Sequence, residues 1–338
     1  MPTPKPALRR RTLLVAGAAL PLVAIGRARA AEFTYKLATG QSPTNPINLR
    51  LKEAIDRITK ATNGRLAFRL FPNNQLGSDT DQITQLRSGG IDILNVAASV
   101  LSTVVPDAAL VNLGFAFPNY DAVWKAVDGP LGQYIQGRIA AVGLVPLAPM
   151  GNNGFRQITS SSHAIDAPAD LRGFKIRVPE APLFTGLFRA LGASPTAINF
   201  NEVYTALQTH LVDGEENGLV TVETAKLYEV QKYCSMTNHI WDGFCVMANP
   251  ASFKKLPPDV QAIVMREIKQ AVMDQRADET KLDASLRGTL EKRGMTFADP
   301  KSADFQAALQ KTSFYKDWKA KFGAEGWRDL EAVTGALG

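Results

Sequence analysis

Between residues 33 and 96 the chain twice alternates a short strand pattern with a helical one, and this alternation restricts the fold more than any other feature. Thr34 to Leu37 reads as a strand. After a Gly/Pro/Asn loop from Gly40 to Pro46, apolar residues recur at Ile47, Leu51, Ala54, Ile55 and Ile58, which is the stripe of one helix face. Gly64 closes that helix, and Leu66, Phe68 and Leu70 then alternate with neighbours that include Arg65 and Arg69, as in a half-buried strand ending at Phe71-Pro72. The loop Gln75-Leu76-Gly77-Ser78-Asp79 leads into a second helix through Ile83 and Leu86, and Ile91 to Val96 forms a third strand. The order β-α-β-α-β predicts a parallel sheet covered by helices, with ligand sites at the carboxyl ends of the strands.

A second such unit is expected after Gly151-Asn152-Asn153-Gly154, a cluster typical of a crossing segment or hinge. Phe174, Ile176 and Val178 alternate with Lys175 and Arg177, so Arg177 projects from the face opposite the apolar residues. Pro179 ends this strand and leaves Arg177 near its carboxyl end. Helices follow at Leu183 to Leu191 and Val203 to Leu211, and Asp213-Gly214 turns the chain into Glu215-Glu216-Asn217. A helix near Val222 to Tyr228 precedes strands at Lys232 to Met236 and Phe244 to Ala248. From Pro258 a helical pattern runs to Leu290; at ~1.5 Å per residue it would reach about 50 Å, enough to cross two lobes. The expected fold class is therefore α/β and two-lobed, with a long helix spanning both lobes. Residues 31–153 with about 243–282 would form lobe I, and 154–242 with about 283–338 lobe II.

A composition of 45% hydrophobic and 21% charged residues over 338 positions is that of a globular chain and excludes disorder, collagen and coiled coil. The net charge of +6 would suggest a polyanion partner, but its location argues otherwise. Lys5, Arg9, Arg10, Arg11, Arg27 and Arg29 lie in the first thirty positions with no acid among them, so the remainder is formally neutral. Nucleic acid is excluded as the expected partner, because counterion release needs a dense basic surface on the folded body. Those thirty residues read as an export signal: a basic start, the apolar run Leu13 to Ile25, and Ala28-Arg29-Ala30 as a cleavage site. Arg10-Arg11-Thr12-Leu13-Leu14 fits a twin-arginine signal, and three arginines also suit the general secretory route. A periplasmic product beginning near Ala31 is expected.

No phosphate-binding loop, dinucleotide fingerprint, HExxH, GxSxG or Cys/His metal spacing is present, and the histidines are only His163, His210 and His239. No catalytic residue, cofactor or metal is expected. Cys234 and Cys245 would either pair across adjacent strands or be two buried thiols. A neutral, exported, two-lobed α/β chain without catalytic motifs describes a solute receptor that closes on its ligand, with an exported α/β hydrolase as the alternative from another class.

Several ordered segments add a resemblance. Gln75-Leu76-Gly77, Asp170-Leu171-Arg172-Gly173-Phe174-Lys175-Ile176-Arg177-Val178-Pro179, Leu191-Gly192-Ala193-Ser194-Pro195, Glu202 to Gln208, Val212 to Asn217 and Tyr228 to Tyr233 together resemble the DctP-type substrate-binding subunit of tripartite ATP-independent periplasmic (TRAP) transporters, over nearly all of 33–320. The resemblance implies a periplasmic receptor of Venus-flytrap architecture that hands an organic acid to a small and a large integral membrane subunit. The receptor of an ATP-driven importer shares the architecture but not these motifs. A monomer is expected.

The resemblance also implies a set of ligand-binding residues. Arg177 stands where the family pairs an arginine with the ligand carboxylate, a role suited to the planar, permanently charged fork of guanidinium. Arg156 matches a second arginine that contacts ligand or braces the lobes, and Asn217 an amide donor or a turn residue. Glu216 would orient Arg156 or His239 from behind, and His239 would touch ligand or be a buried, bonded imidazole. Phe200 falls at an apolar wall or a core staple; Trp241 and Phe244 would pack on an apolar ligand body or in the core. Gln41, Gln75 and Asp79 are the first-lobe candidates. Ala38-Thr39-Gly40-Gln41 and Asn95 to Ser99 depart from the sialic-acid receptors, and the expected ligand is a small mono- or dicarboxylate with an apolar or aromatic body.

Overall fold

The computed structural model describes residues 1–3 and 31–337, so the basic and apolar parts of the expected export signal lie outside the described residues. In chain order the first elements are β1 (Phe33–Thr39), α1 (Pro46–Ala61), β2 (Leu66–Phe71), α2 (Asp79–Ser88), β3 (Ile93–Ala97), α3 (Ala98–Leu101), α4 (Tyr120–Val127), α5 (Pro130–Ala141), β4 (Val145–Pro146) and β5 (Gly151–Ser160). Next come β6 (Lys175–Val178), α6 (Pro182–Ala190), β7 (Ser194–Ala197), α7 (Val203–Gln208), β8 (Gly214–Gly218), α8 (Leu219–Thr224), β9 (Tyr233–Ala248) and α9 (Pro250–Lys255). The last are α10 (Pro258–Lys292), β10 (Thr296–Ala298), α11 (Ser302–Gln310), α12 (Phe314–Lys321) and α13 (Ala324–Thr334).

Local chemistry sets the helix starts that face the site. Asn45 caps α1 by accepting from the Ile47 N–H, and Pro46 occupies the first turn, where its missing N–H is not needed. Ser78 and Asp81 form a reciprocal capping box at the start of α2, and Gly89 ends that helix at φ 86°.

The strands form one sheet of order β2-β1-β3-β9-β5-β8-β6-β7, with β4 and β10 also paired to β9. β1 pairs in parallel with β2 and β3, and β6 in parallel with β7 and β8. Between these two parallel blocks lie β5 and β9, antiparallel to each other and to their outer neighbours. The Gly151–Gly154 cluster is thus the start of β5, one of the two strands that cross between the blocks. The strands expected at 232–236 and 244–248 are the two ends of the single strand β9, whose pairing with β5 shifts register between Asn152 and Phe155.

That continuity decides the cysteines. Cys234 and Cys245 sit on the same strand, both buried and both free, so of the two alternatives open in sequence the buried thiols are the one found.

Three apolar clusters cover the sheet. One packs α1 and Val260 to Val272 of α10 on β1 and β3. Another packs α7, α8 and Leu286 and Leu290 of α10 beside Cys234. The 35-residue helix α10, about 50 Å long, therefore buries its first half on one parallel block and its last turns on the other. The largest cluster lies on the opposite side of the sheet and includes Ile158, Ile176, Val178, Phe184, Phe188 and Trp241. Here too Trp327 and Leu330 bury α13, which packs against α4 and α5.

Candidate functional site

The alternation read in β6 holds in three dimensions. Ile176 and Val178 enter the large cluster, and Arg177 leaves from the other face. Arg177 is only 2% exposed, yet its guanidinium makes no ion pair within 4 Å among the described residues. Its Nε and Nη2 both donate to the Ile198 carbonyl, at 2.9 and 2.7 Å, which fixes the plane of the fork and leaves Nη1 without a partner among the described residues. The guanidinium carbon lies 6.0 Å from the centre of the Phe200 ring. Burial lowers its affinity for the proton, to a pKa of about 10, against the pull of Glu215 and Glu216; it stays charged at any neutral pH.

Registers place its neighbours. Arg177 is opposite Glu215 on β8, and Glu215 is opposite Thr159 on β5, so Arg177, Glu215, Asn217 and Thr159 share one sheet face. The Asn217 amide donates to Glu215, and Thr159 Oγ1 donates to the other Glu215 oxygen at 2.9 Å.

Asp79, at the start of α2, faces Arg177 from the first parallel block. It is only partly buried as a residue, but its carboxyl turns in over Gly40 and Asn74: a Cβ on Gly40 would come 2.5 Å from the side-chain oxygens of both. Gly40 is thus required by close approach. Burial pushes the Asp79 carboxyl up to about 6, Glu180 adds to that, and Arg177 and Asn74 oppose it. The buried Asn74 amide nitrogen has no hydrogen-bond acceptor among the described residues.

On the other sheet face Arg156 forms a buried network. Glu216 accepts from Arg156 Nε and, at 2.8 Å, from Nη2. Arg156 Nη1 approaches Asp242 Oδ2 at 3.5 Å, and the guanidinium carbon lies 5.2 Å from the Phe184 ring centre. His239 Nε2 is 3.1 Å from Glu216, and its Nδ1 is 2.8 Å from Thr237 Oγ1. Burial lowers the His239 pKa despite Glu216, so the neutral ring donates from Nε2 to Glu216 and accepts from Thr237. Asp242 in turn accepts from Ser99 Oγ at 2.7 Å, Asn112 at 2.9 Å and Asn153 at 3.3 Å, which ties β5 and β9 to α3 where both strands cross between the blocks.

The other sequence candidates separate clearly. Phe200 stays beside Arg177. Trp241 is 1% exposed, packed edge-on against Phe117 and Trp124 with its N–H on Asn152, and Phe244, also 1% exposed, lies in the α1–α10 cluster. Both are core residues, the second of the two roles left open in sequence. Gln41 braces the α1 entry through Asn45 and Asn48, and Gln75 is exposed. The sequence reading missed Glu215, Asn74 and Asp242. Only the strand register of Glu215 beside Arg177 could have signalled the first.

Two α/β blocks joined by paired crossing strands, with a buried guanidinium that has no ion pair among the described residues, define a two-lobed solute receptor. The chain belongs to the DctP family, the bacterial extracellular solute-binding proteins of family 7, whose model matches residues 37–320. It is 34% identical over 297 residues to a solute-binding protein of Roseobacter denitrificans, covering 88% of this chain and 91% of that one. It is 31% identical to the 2,3-diketo-L-gulonate-binding periplasmic protein of Escherichia coli, covering 78% and 79%. It spans about half, 48%, of one 35% identical relative, an uncharacterised Sinorhizobium fredii protein. Among solved structures, a TRAP periplasmic solute-binding protein of Roseobacter denitrificans with bound L-galactonate has a TM-score of 0.83 at 32% identity, covering 90% of this chain and 99% of that one. One from Sulfurospirillum deleyianum with bound succinate has a TM-score of 0.84 at 27% identity, with the same coverage.

Proposed function

We propose that this receptor captures a polyhydroxylated monocarboxylate, binding the carboxylate on Arg177 and the hydroxyls on the Asp79–Asn74 wall, and delivers it to the membrane subunits of a TRAP transporter. The observation that carries the reading is Arg177: buried, held in plane by the Ile198 carbonyl, and without a carboxylate partner within 4 Å among the described residues. A buried charge of this kind is costly unless it is paired, and an entering carboxylate supplies the pair. Asn217 lies on the same face for a further bond, and Phe200 walls the guanidinium.

The opposite wall supports hydroxyls over the apolar or aromatic body expected from sequence. Trp241 and Phe244 are packed in the core, whereas Asp79 and Asn74 are polar, and Glu180 adds a carboxylate from the Arg177 side. A second carboxylate would meet Asp79 and Glu180 and be repelled. The relatives solved with L-galactonate and D-erythronate agree with this choice.

Lobe I is then 31–153 with about 243–282, and lobe II 154–242 with about 283–323. We move α13 to lobe I because it packs on α4 and α5. β5, β9 and α10 cross between them, and closure brings Asp79 to Arg177 because ligand binds the closed form better. The receptor acts as a monomer without cofactor, and the export segment is removed near Ala30.

Thermal unfolding against aldonates, uronates, erythronate, succinate and aromatic acids tests the reading. A binder at a hundredfold excess over its Kd stabilises by about 2.7 kcal/mol. Shifts with hydroxylated monocarboxylates and none with aromatic acids are expected. Shifts with aromatic acids alone, or with no acid, would refute it.

A further inference from the structure

Glu215 is fully buried, on the sheet side that carries Cys234 and the apolar cluster of α7 and α8. It lies opposite Arg177 in the β6–β8 register yet makes no ion pair within 4 Å among the described residues. The groups around it are Arg177 on β6, Arg156 and Thr159 on β5, Cys234 on β9, and Glu216 and Asn217 on its own strand. Arg156 is already engaged by Glu216 and Asp242. With Glu216 and Asp242 set against Arg156, Arg177 is among the described residues the cation whose charge is left to offset Glu215, and Asp79 draws on the same guanidinium from the other block.

An anion arriving on Arg177 changes that balance. Two negative charges would then share one buried cation, and a buried carboxylate that loses its compensation binds a proton instead. Burial and Glu216 already raise the Glu215 carboxyl, with Arg177 pulling the other way; a ligand carboxylate on Arg177 cancels that pull. Both protonation states find partners. Ionised, Glu215 accepts from Thr159 Oγ1 and from the Asn217 amide. Protonated, it donates to Thr159 Oγ1, whose own hydrogen turns to the Glu215 main-chain oxygen 3.5 Å away.

We propose that Glu215 takes up one proton from solvent when an anion is captured on Arg177, making capture proton-linked, while it holds the Asn217 amide beside the site. Glu215 is in this sense a positioning residue that acts through Arg177 and Asn217. The proposal rests on the carboxylate-receptor reading above. Asp79 also faces Arg177 and is the competing proton acceptor, so the test must separate the two.

The experiment is calorimetric titration of the purified protein at about pH 7.5 in phosphate and in Tris, buffers of very different ionisation enthalpy, with whichever acid of the panel gives the largest thermal shift. The expected result is a buffer-dependent enthalpy corresponding to proton uptake of up to about one per ligand, and an affinity that falls by up to about tenfold per pH unit as pH rises. D79N alters affinity, since Asp79 belongs to the hydroxyl wall, but keeps the proton uptake per ligand bound. E215Q loses both the uptake and the pH slope, because the amide mimics the protonated acid by donating to Thr159 and accepting from Asn217. Equal enthalpies in the two buffers, or uptake that survives E215Q or vanishes in D79N, would overturn the proposal and leave carboxylate capture standing. Binding of no acid would overturn the receptor reading itself. Should E215Q not fold, a flat wild-type pH series with equal enthalpies still refutes the proposal.

Discussion

Replacing Glu216 by alanine removes the acceptor that holds Arg156 and His239 together and leaves a guanidinium that is 2% exposed with only Asp242, at 3.5 Å, as a charged partner. Breaking a buried ion pair from one side costs ~3–5 kcal/mol, and the residual Asp242 contact places E216A near the lower end, at about 3 kcal/mol. At roughly 2 °C per kcal/mol for a domain of this size, the melting temperature falls by about 6 °C. Urea unfolding followed by circular dichroism measures the loss directly. The double variant R156M/E216L removes that pair but leaves Asp242 buried without its guanidinium, so it should recover only part of the loss. The pH dependence has a fixed sign. Burial raises the Glu216 carboxyl, but Arg156 and His239 together hold it below its ordinary value of 4.5. Its contribution is therefore complete above that value and is lost as pH falls through the lowered folded one, so the gap between wild type and E216A narrows only in strong acid. An E216A protein that melts within about 1 °C of wild type, or a double variant no better than the single, would refute this account of the network.

Three further outcomes follow from the geometry. Gly214→Ala would put a Cβ 2.1 Å from the Thr159 carbonyl oxygen and 2.6 Å from the Phe174 ring, so it should lower the yield of folded protein sharply in expression and melting assays. D79N removes the charge that opposes a second carboxylate and should raise the affinity for succinate relative to L-galactonate, at least several-fold by titration. Reductant should leave the melting temperature unchanged, and native alkylation should be slow, since both cysteines are free, buried and held protonated by burial.

The parts legible in sequence were those with local periodicity. The stripe from Ile47 to Ile58 and the alternation around Arg177 each report which face is buried, and both faces are as read. β5 and the middle of β9 were not legible, because Asn152 and Asn153 at the start of β5 and Thr237 and Asp242 within β9 are polar and buried by long-range partners that no local pattern records. The same holds for Trp241 and Phe244, aromatic residues on a crossing strand whose two faces are both core. Glu215 read only as a residue after the Asp213-Gly214 turn, since its meaning comes from the strand beside it.

The account stands on Arg177 as the ligand's carboxylate partner. Truncating one side of a buried, hydrogen-bonded charge pair costs ~2–5 kcal/mol, which weakens binding by at least about thirtyfold. R177A and R177K titrated calorimetrically against the best acid of the panel should both show this loss, because lysine cannot donate twice to the Ile198 carbonyl and still present a fork. Wild-type affinity in R177A would contradict the account.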